Sequence, residues 1–239
     1  MKFENTKVWG LQNAIIGMRL PMSRNFKEAL EKCDSWHPGN SGTDCPTEEC
    51  DCISLFELGE DDKKICKNLI KADSEGFGQP NGKFLRMIHV QVCITAPEYF
   101  CRELDTYKVG TVRNSSSTMH KLASTPITLD CFEMDDFDNS IQATNKETKQ
   151  VMKNEDFWLG FVNYLDLLRL KYNETKDKRY WKELVRLLPS SWLYTFMFDC
   201  DYATLRNIYH WRKNHKLVEW HKFCEWIETL PFAKELICE

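Results

Sequence analysis

The chain has 239 residues, enough for one large domain or two small ones and for a core that needs no disulfide or metal staple. Its 42% hydrophobic and 28% charged residues make a globular balance, and 32 Lys and Arg against 36 Asp and Glu leave a formal net charge of -4, which disfavours a nucleic-acid or membrane-surface binder. No apolar run approaches the ~20 residues of a spanning helix, and Met1 to Asn5 begin no secretory signal, so the expectation is a cytoplasmic protein without membrane or nucleic-acid partners, its 11 cysteines reduced.

Residues 1–36 mix apolar with basic positions. Ser23 is placed to cap a short helix carrying Phe26, Ala29, Leu30 and Cys33 at helical spacing. Residues 37–52 are a loop by composition, and an acidic, cysteine-containing stretch follows to Asp62. Asp61 to Ala72 reads as a helix with acids at its start, and Ser74 to Gly82 as a glycine-rich loop.

Phe84 to Thr95 is the clearest strand, with Ile88, Val90, Val92 and Ile94 alternating with polar residues. Ala96-Pro97 opens a helix through Leu104, since proline is tolerated at a helix start. Tyr107 to Asn114 reads as a turn around Gly110, and Ser115 to Thr118 lead into a second helix or tight loop. Five acids without a base at 130–138 indicate a solvated loop.

The rest is mainly helical. Asp156 to Tyr172 lines up Phe157, Phe161, Leu165 and Leu168, and Arg179 to Leu188 stops at Pro189. Trp192 to Phe198 is short and aromatic, a buried strand. Asp201 caps a helix through Arg212, and Leu217 to Leu230 forms a last one. The fold expected is α+β: one domain over 1–239, with a small, twisted, mainly antiparallel sheet among helices and a cysteine-rich loop insertion around 37–60.

Some side chains are spaced for chemistry. Hydroxyls and amides over Gly110–Ser117 either cradle an anion or simply cap a helix. Arg212, His215 and Lys216 fall on one face of a helix that also carries Asn207, a basic surface that suits a nucleotide phosphate or faces solvent. Trp211 and Trp220 are expected in the core. Cys45, Cys50 and Cys52, with Cys33, His37 and Cys66, hold enough soft ligands for zinc or an iron–sulfur cluster, but not in the paired spacing of such sites. The reading is reduced thiols and no metal; a metal-binding interaction module is the weaker alternative. A nucleophilic cysteine is also conceivable.

The segment FLRMIHVQVCITAPEYFCRELDTYKVGTVRNSSSTMHKL, residues 84–122, resembles the core of flavin-dependent thymidylate synthases, the ThyX family, in which a strand leads through a helix into a signature loop Arg-His-Arg-x-x-Ser-x-Asn-Glu-x-Ser-x-Arg-Tyr. Thr106, Tyr107 and Lys108 fall on the Arg-His-Arg triplet, Thr111 and Ser116 on the two serines, Asn114 on the glutamate and Thr118 on the last arginine. The stretch from Arg186 through the aromatic strand to Arg212 is similar to the family's closing strand–helix pair. AIIGMRLPMS (14–23) and ELDTYKVGT (103–111) resemble a divergent branch of phages and gut bacteria. Two signature arginines have become threonine, and Lys108 is not equivalent to an arginine where a planar clamp is needed.

The resemblance implies reductive methylation of dUMP to dTMP, with methylenetetrahydrofolate giving the carbon and FAD, reduced by NADPH, giving the hydride, in a homotetramer. By this resemblance Lys108, Tyr107, Asn207 and Lys216 bind the flavin. Glu103, Arg113, Asn114, Ser116, Ser117, Arg186 and Arg212 bind the nucleotide, with Ser116 and Arg212 at the reacting centre. The alternatives are a pyrimidine nucleotide hydroxymethylase for phage DNA modification and a non-catalytic flavin- or nucleotide-binding homologue, the latter motivated by the lost arginines.

Overall fold

The computed structural model describes residues 1–35, 56–73 and 81–239. Its centre is a four-stranded antiparallel sheet in the order β1 (Lys2–Trp9), β2 (His89–Pro97), β6 (Leu193–Asp201), β3 (Thr111–Ser115). This is the small antiparallel sheet with surrounding helices expected for an α+β fold. Cys45, Cys50, Cys52 and His37 lie outside the described residues, so the metal question for that segment stays with the sequence. Among the described residues no group of three His, Cys, Asp or Glu is arranged to hold a metal, and no helix is long and apolar enough to cross a membrane.

One sheet face is covered. Val90, Val92, Ile94 and Ala96 of β2 and Phe196, Phe198 and Cys200 of β6 alternate into the core. Helices α1 (Leu11–Arg19), α3 (Glu60–Asp73), α4 (Glu98–Leu104), α8 (Tyr202–Arg212) and α9 (Val218–Glu228) supply Ile15, Cys66, Phe100, Tyr202 and Trp220 to the same cluster. A second cluster gathers Leu165, Leu168 and Leu184 of α6 (Asn154–Thr175) and α7 (Lys178–Leu187) around Phe132. The first half of α6 differs from expectation, because Phe157 is exposed and touches just the Phe161 and Trp158 rings of its own helix among the described aromatic pairs.

Several boundaries move for physical reasons. The strand expected from Phe84 begins at His89. Phe84 and Leu85 are adjacent and both buried, which a one-face strand cannot do, and Asn81–Met87 forms a tight helical stretch instead. The turn expected over 107–114 ends at Gly110, and β3 follows on the edge of β6. The helix 26–32 (α2, Phe26–Lys32) is capped by Asn25, which accepts from Glu28 N at 3.0 Å, while the Ser23 hydroxyl donates to Arg19 O. A hairpin of β4 (Gln142–Thr144) and β5 (Val151–Lys153) precedes α6.

Buried Asp62 ties the N-terminal helices together. Its carboxylate accepts from Arg19 Nε, Ser35 Oγ (2.7 Å), Ser35 N (2.9 Å), Asp34 N (3.1 Å) and the Cys33 thiol (3.1 Å). Asp34 in turn accepts from Asp61 N and Asp62 N at the start of α3, satisfying amides that a helix N-terminus leaves open.

Candidate functional site

Helix α4 positions the site. Pro97 starts it, and its spacing sends Glu98, Cys101, Arg102 and Asp105 to one side and Glu103 to another. On the first side lies a cavity of about 380 Å³, lined by those four residues, Arg113, Ser115, Ser116, Ser117, Thr118 and Tyr194. Arg113 reaches it because β3 pairs with β6. Arg113 lies opposite Phe198, its guanidinium sits over the Phe196 ring at 5.2 Å, and its Nη2 donates to Asp105 at 2.6 Å. Arg102 pairs with Glu98 at 2.8 Å. Ser116 extends the ladder, donating its N–H to Thr195 O at 2.8 Å. Ser117 precedes α5 (Thr118–Lys121), a single turn, and its hydroxyl makes no capping bond, so it is not committed to the bland role of a cap. Two guanidiniums, three serines and a phenol make a wall for an oxyanion or a sugar phosphate. Cys101 also lines it, but burial pushes its thiol up to about 11, which keeps it protonated and non-nucleophilic at neutral pH.

On the other side of α4 is an aromatic cage around Arg212. Its Nη1 donates to Glu103 Oε2 at 3.0 Å and its Nε to the Tyr107 hydroxyl at 2.8 Å, and its guanidinium carbon lies 4.6 Å from the Trp220 ring centre. The Trp220 indole N–H donates to the same Glu103 oxygen at 2.9 Å, and His215 Nε2 is 3.7 Å from it. The cage exists because Asp201 caps α8, accepting from Thr204 N at 2.8 Å, and so sets Arg212 in its last turn. Gly110 lets the 106–110 turn come against that cap. Its φ is +73°, and a Cβ there would lie 2.7 Å from Thr204 Oγ1 and 2.9 Å from Asp201 Oδ2.

The structure thus brings Glu103, Tyr107 and Arg212 together, and separately Arg113, Ser116 and Ser117. Lys108, Asn114, Arg186 and Lys216 are exposed and make no side-chain hydrogen bond or ion pair with either group among the described residues. The basic face expected over 212–216 is not helical. Helix α8 ends at Arg212, and His215 N turns back to Arg212 O at 2.9 Å. Trp211, expected in the core, is 69% exposed, whereas Trp220 is fully buried. Asn207 Oδ1 and His210 Nε2, one turn apart on α8, are buried without a hydrogen-bond partner among the described residues. Burial, with Arg206 and Lys213, lowers the His210 pKa and keeps it neutral. An orphaned amide oxygen fits a ligand that offers an N–H, as a flavin ring does. Sequence reasoning passed over Arg102, Asp105, Tyr194 and the role of Trp220. The i, i+3, i+4, i+7 spacing of Glu98, Cys101, Arg102 and Asp105 was the available signal for the first two.

The small antiparallel sheet wrapped by helices is the fold of solved ThyX structures. No family model matches the sequence, and no curated protein matches it. Among solved structures, the chain is similar to the flavin-dependent thymidylate synthase ThyX of Helicobacter pylori complexed with FAD and dUMP, at 16% identity over 99% of this chain and 98% of that one, with a TM-score of 0.61. It is also similar to the UMP/dUMP methylase PolB of Streptomyces cacaoi bound with 5-Br dUMP, at 12% identity over 97% and 94% of the two chains, with a TM-score of 0.55.

Proposed function

We propose that this chain is a flavin-dependent enzyme that methylates dUMP at the pyrimidine, with methylenetetrahydrofolate as carbon donor and NADPH as reductant. The carrying observation is the overlap of the whole chain with a ThyX structure holding FAD and dUMP. In this reading the protein is one domain from 1 to 239 with an insertion around 37–60, and it works as a cytoplasmic homotetramer. When bound, the flavin supplies hydride chemistry that no side chain offers.

The chain's own residues bind and orient. Arg212, fixed by Glu103, Tyr107 and Trp220, receives an oxyanion of the nucleotide, and Arg113, Ser116 and Ser117 hold a phosphate or ribose in the cavity. Asn207 accepts an N–H of the flavin, and the exposed Lys108 and Lys216, with Tyr107, are assigned to its phosphates or edge. Asn114 and Arg186 complete the nucleotide's contacts.

One observation favours a second reading, a binding protein without turnover. Thr106, at a signature arginine position, spends its hydroxyl on Glu103 O at 2.7 Å and replaces no charge. Loading the purified protein with FAD and adding dUMP separates the two. The enzyme gives a flavin spectrum that dUMP perturbs and, with folate and NADPH, a dTMP mass. A hydroxymethylated product selects the hydroxymethylase, and binding without turnover selects the binder. A protein that takes up no FAD overturns the flavin reading.

A further inference from the structure

Arg212 is held from three directions. Three elements converge on it: Glu103 from α4, Tyr107 from the turn after α4, and Trp220 from α9. Tyr107 takes Nε and Glu103 takes Nη1, leaving Nη2 without a hydrogen-bond partner among the described residues, and the side chain is 19% exposed. Trp220 acts twice. Its face lies under the guanidinium at 4.6 Å, and its N–H clamps the Glu103 oxygen that holds Nη1. A free arginine samples many rotamers and must lose that freedom on binding; a stacked, forked one has lost it already.

We propose that Trp220 is a positioning residue for the nucleotide. Its face fixes the plane of the Arg212 guanidinium and its N–H fixes Glu103, so that Nη2 is presented to a nucleotide oxyanion. This rests on the reading of the chain as a dUMP-binding enzyme. Phenylalanine keeps a ring but loses the N–H and the stronger cation attraction of indole. Trp220→Phe is therefore expected to weaken dUMP binding about tenfold by calorimetry, with KM rising by the same factor. In an Arg212→Lys background the same change adds less than about twofold, because no planar group is left to hold. A ring with only a packing role weakens both backgrounds equally, and that result overturns the proposal.

A second measurement needs no change to the buried ring. The Arg212 Nε–H resonance of the wild-type protein, assigned by its loss in Arg212→Lys, is expected to be sharp, slow to exchange and shifted by dUMP. A fast-exchanging signal overturns the proposal. Failure of the wild-type protein to bind dUMP instead overturns the functional reading, and the protection of the Nε–H in Trp220→Phe then decides whether indole holds the guanidinium.

Discussion

Gly110 and Asp201 meet at the point where the turn after α4 touches the start of α8, and neither tolerates a larger or different neighbour. At φ +73° an L side chain is strained, and the added Cβ would crowd Thr204 Oγ1 and the capping carboxylate. Gly110→Ala is expected to cost about 2 kcal/mol in urea unfolding, and to loosen the turn that carries Tyr107. A loss within experimental error would mean that the cap is not what holds the turn. Cys101 makes the opposite point. It lines the cavity, yet its buried, protonated thiol is expected to react with iodoacetamide at neutral pH much more slowly than an exposed cysteine, and mass spectrometry after timed labelling checks it.

Among the elements, α6 depends on charge. Asp166 accepts from Arg169 at 2.6 and 3.1 Å and from Ile127 N at 2.8 Å, pinning the 122–127 loop to the helix, and the side-chain bonds from Arg169 hold its carboxyl below the usual carboxylate range. A depressed carboxyl stabilises the fold above its unfolded pKa, about 3.9, and that contribution disappears as the pH falls through the lower folded value. The melting temperature of the wild-type protein should therefore fall more steeply below pH 4 than that of Asp166→Asn; parallel profiles would show that the pair does not stabilise the fold. Legibility also divides by element. Helix α8 was readable to both ends because Asp201 is a cap and Arg212 closes the last turn. Strand β1 was not, because the register shift between Glu4 and Lys7 puts Phe3 and Val8 on the same face at odd spacing and erases the period of two. Strand β3, Thr-Val-Arg-Asn-Ser, has too little apolar pattern to read, and the β4–β5 hairpin is exposed throughout.

For the molecule as a whole, the network around Asp62 joins α1, the 33–35 segment and α3 through one buried carboxylate. Asp62→Ala would leave Arg19, only 12% exposed, with just its 3.5 Å contact to Asp34 among the described residues, and the Asp34 and Ser35 N–H groups without their acceptor. The expected cost is about 3–5 kcal/mol, read as a large drop in the denaturant midpoint; an unchanged midpoint would show that this region unfolds apart from the rest. By itself the sequence determined the mixed α+β class, most helices and the central strands β2 and β6, because local propensity, capping and alternation are written in neighbouring residues. Only the tertiary structure decided which of those residues meet. It joined Arg212 to Glu103, Tyr107 and Trp220, and put Arg113 and the serines on the far side of α4. Such contacts span up to 117 positions of chain, and they depend on sheet order and helix placement, which no local pattern encodes.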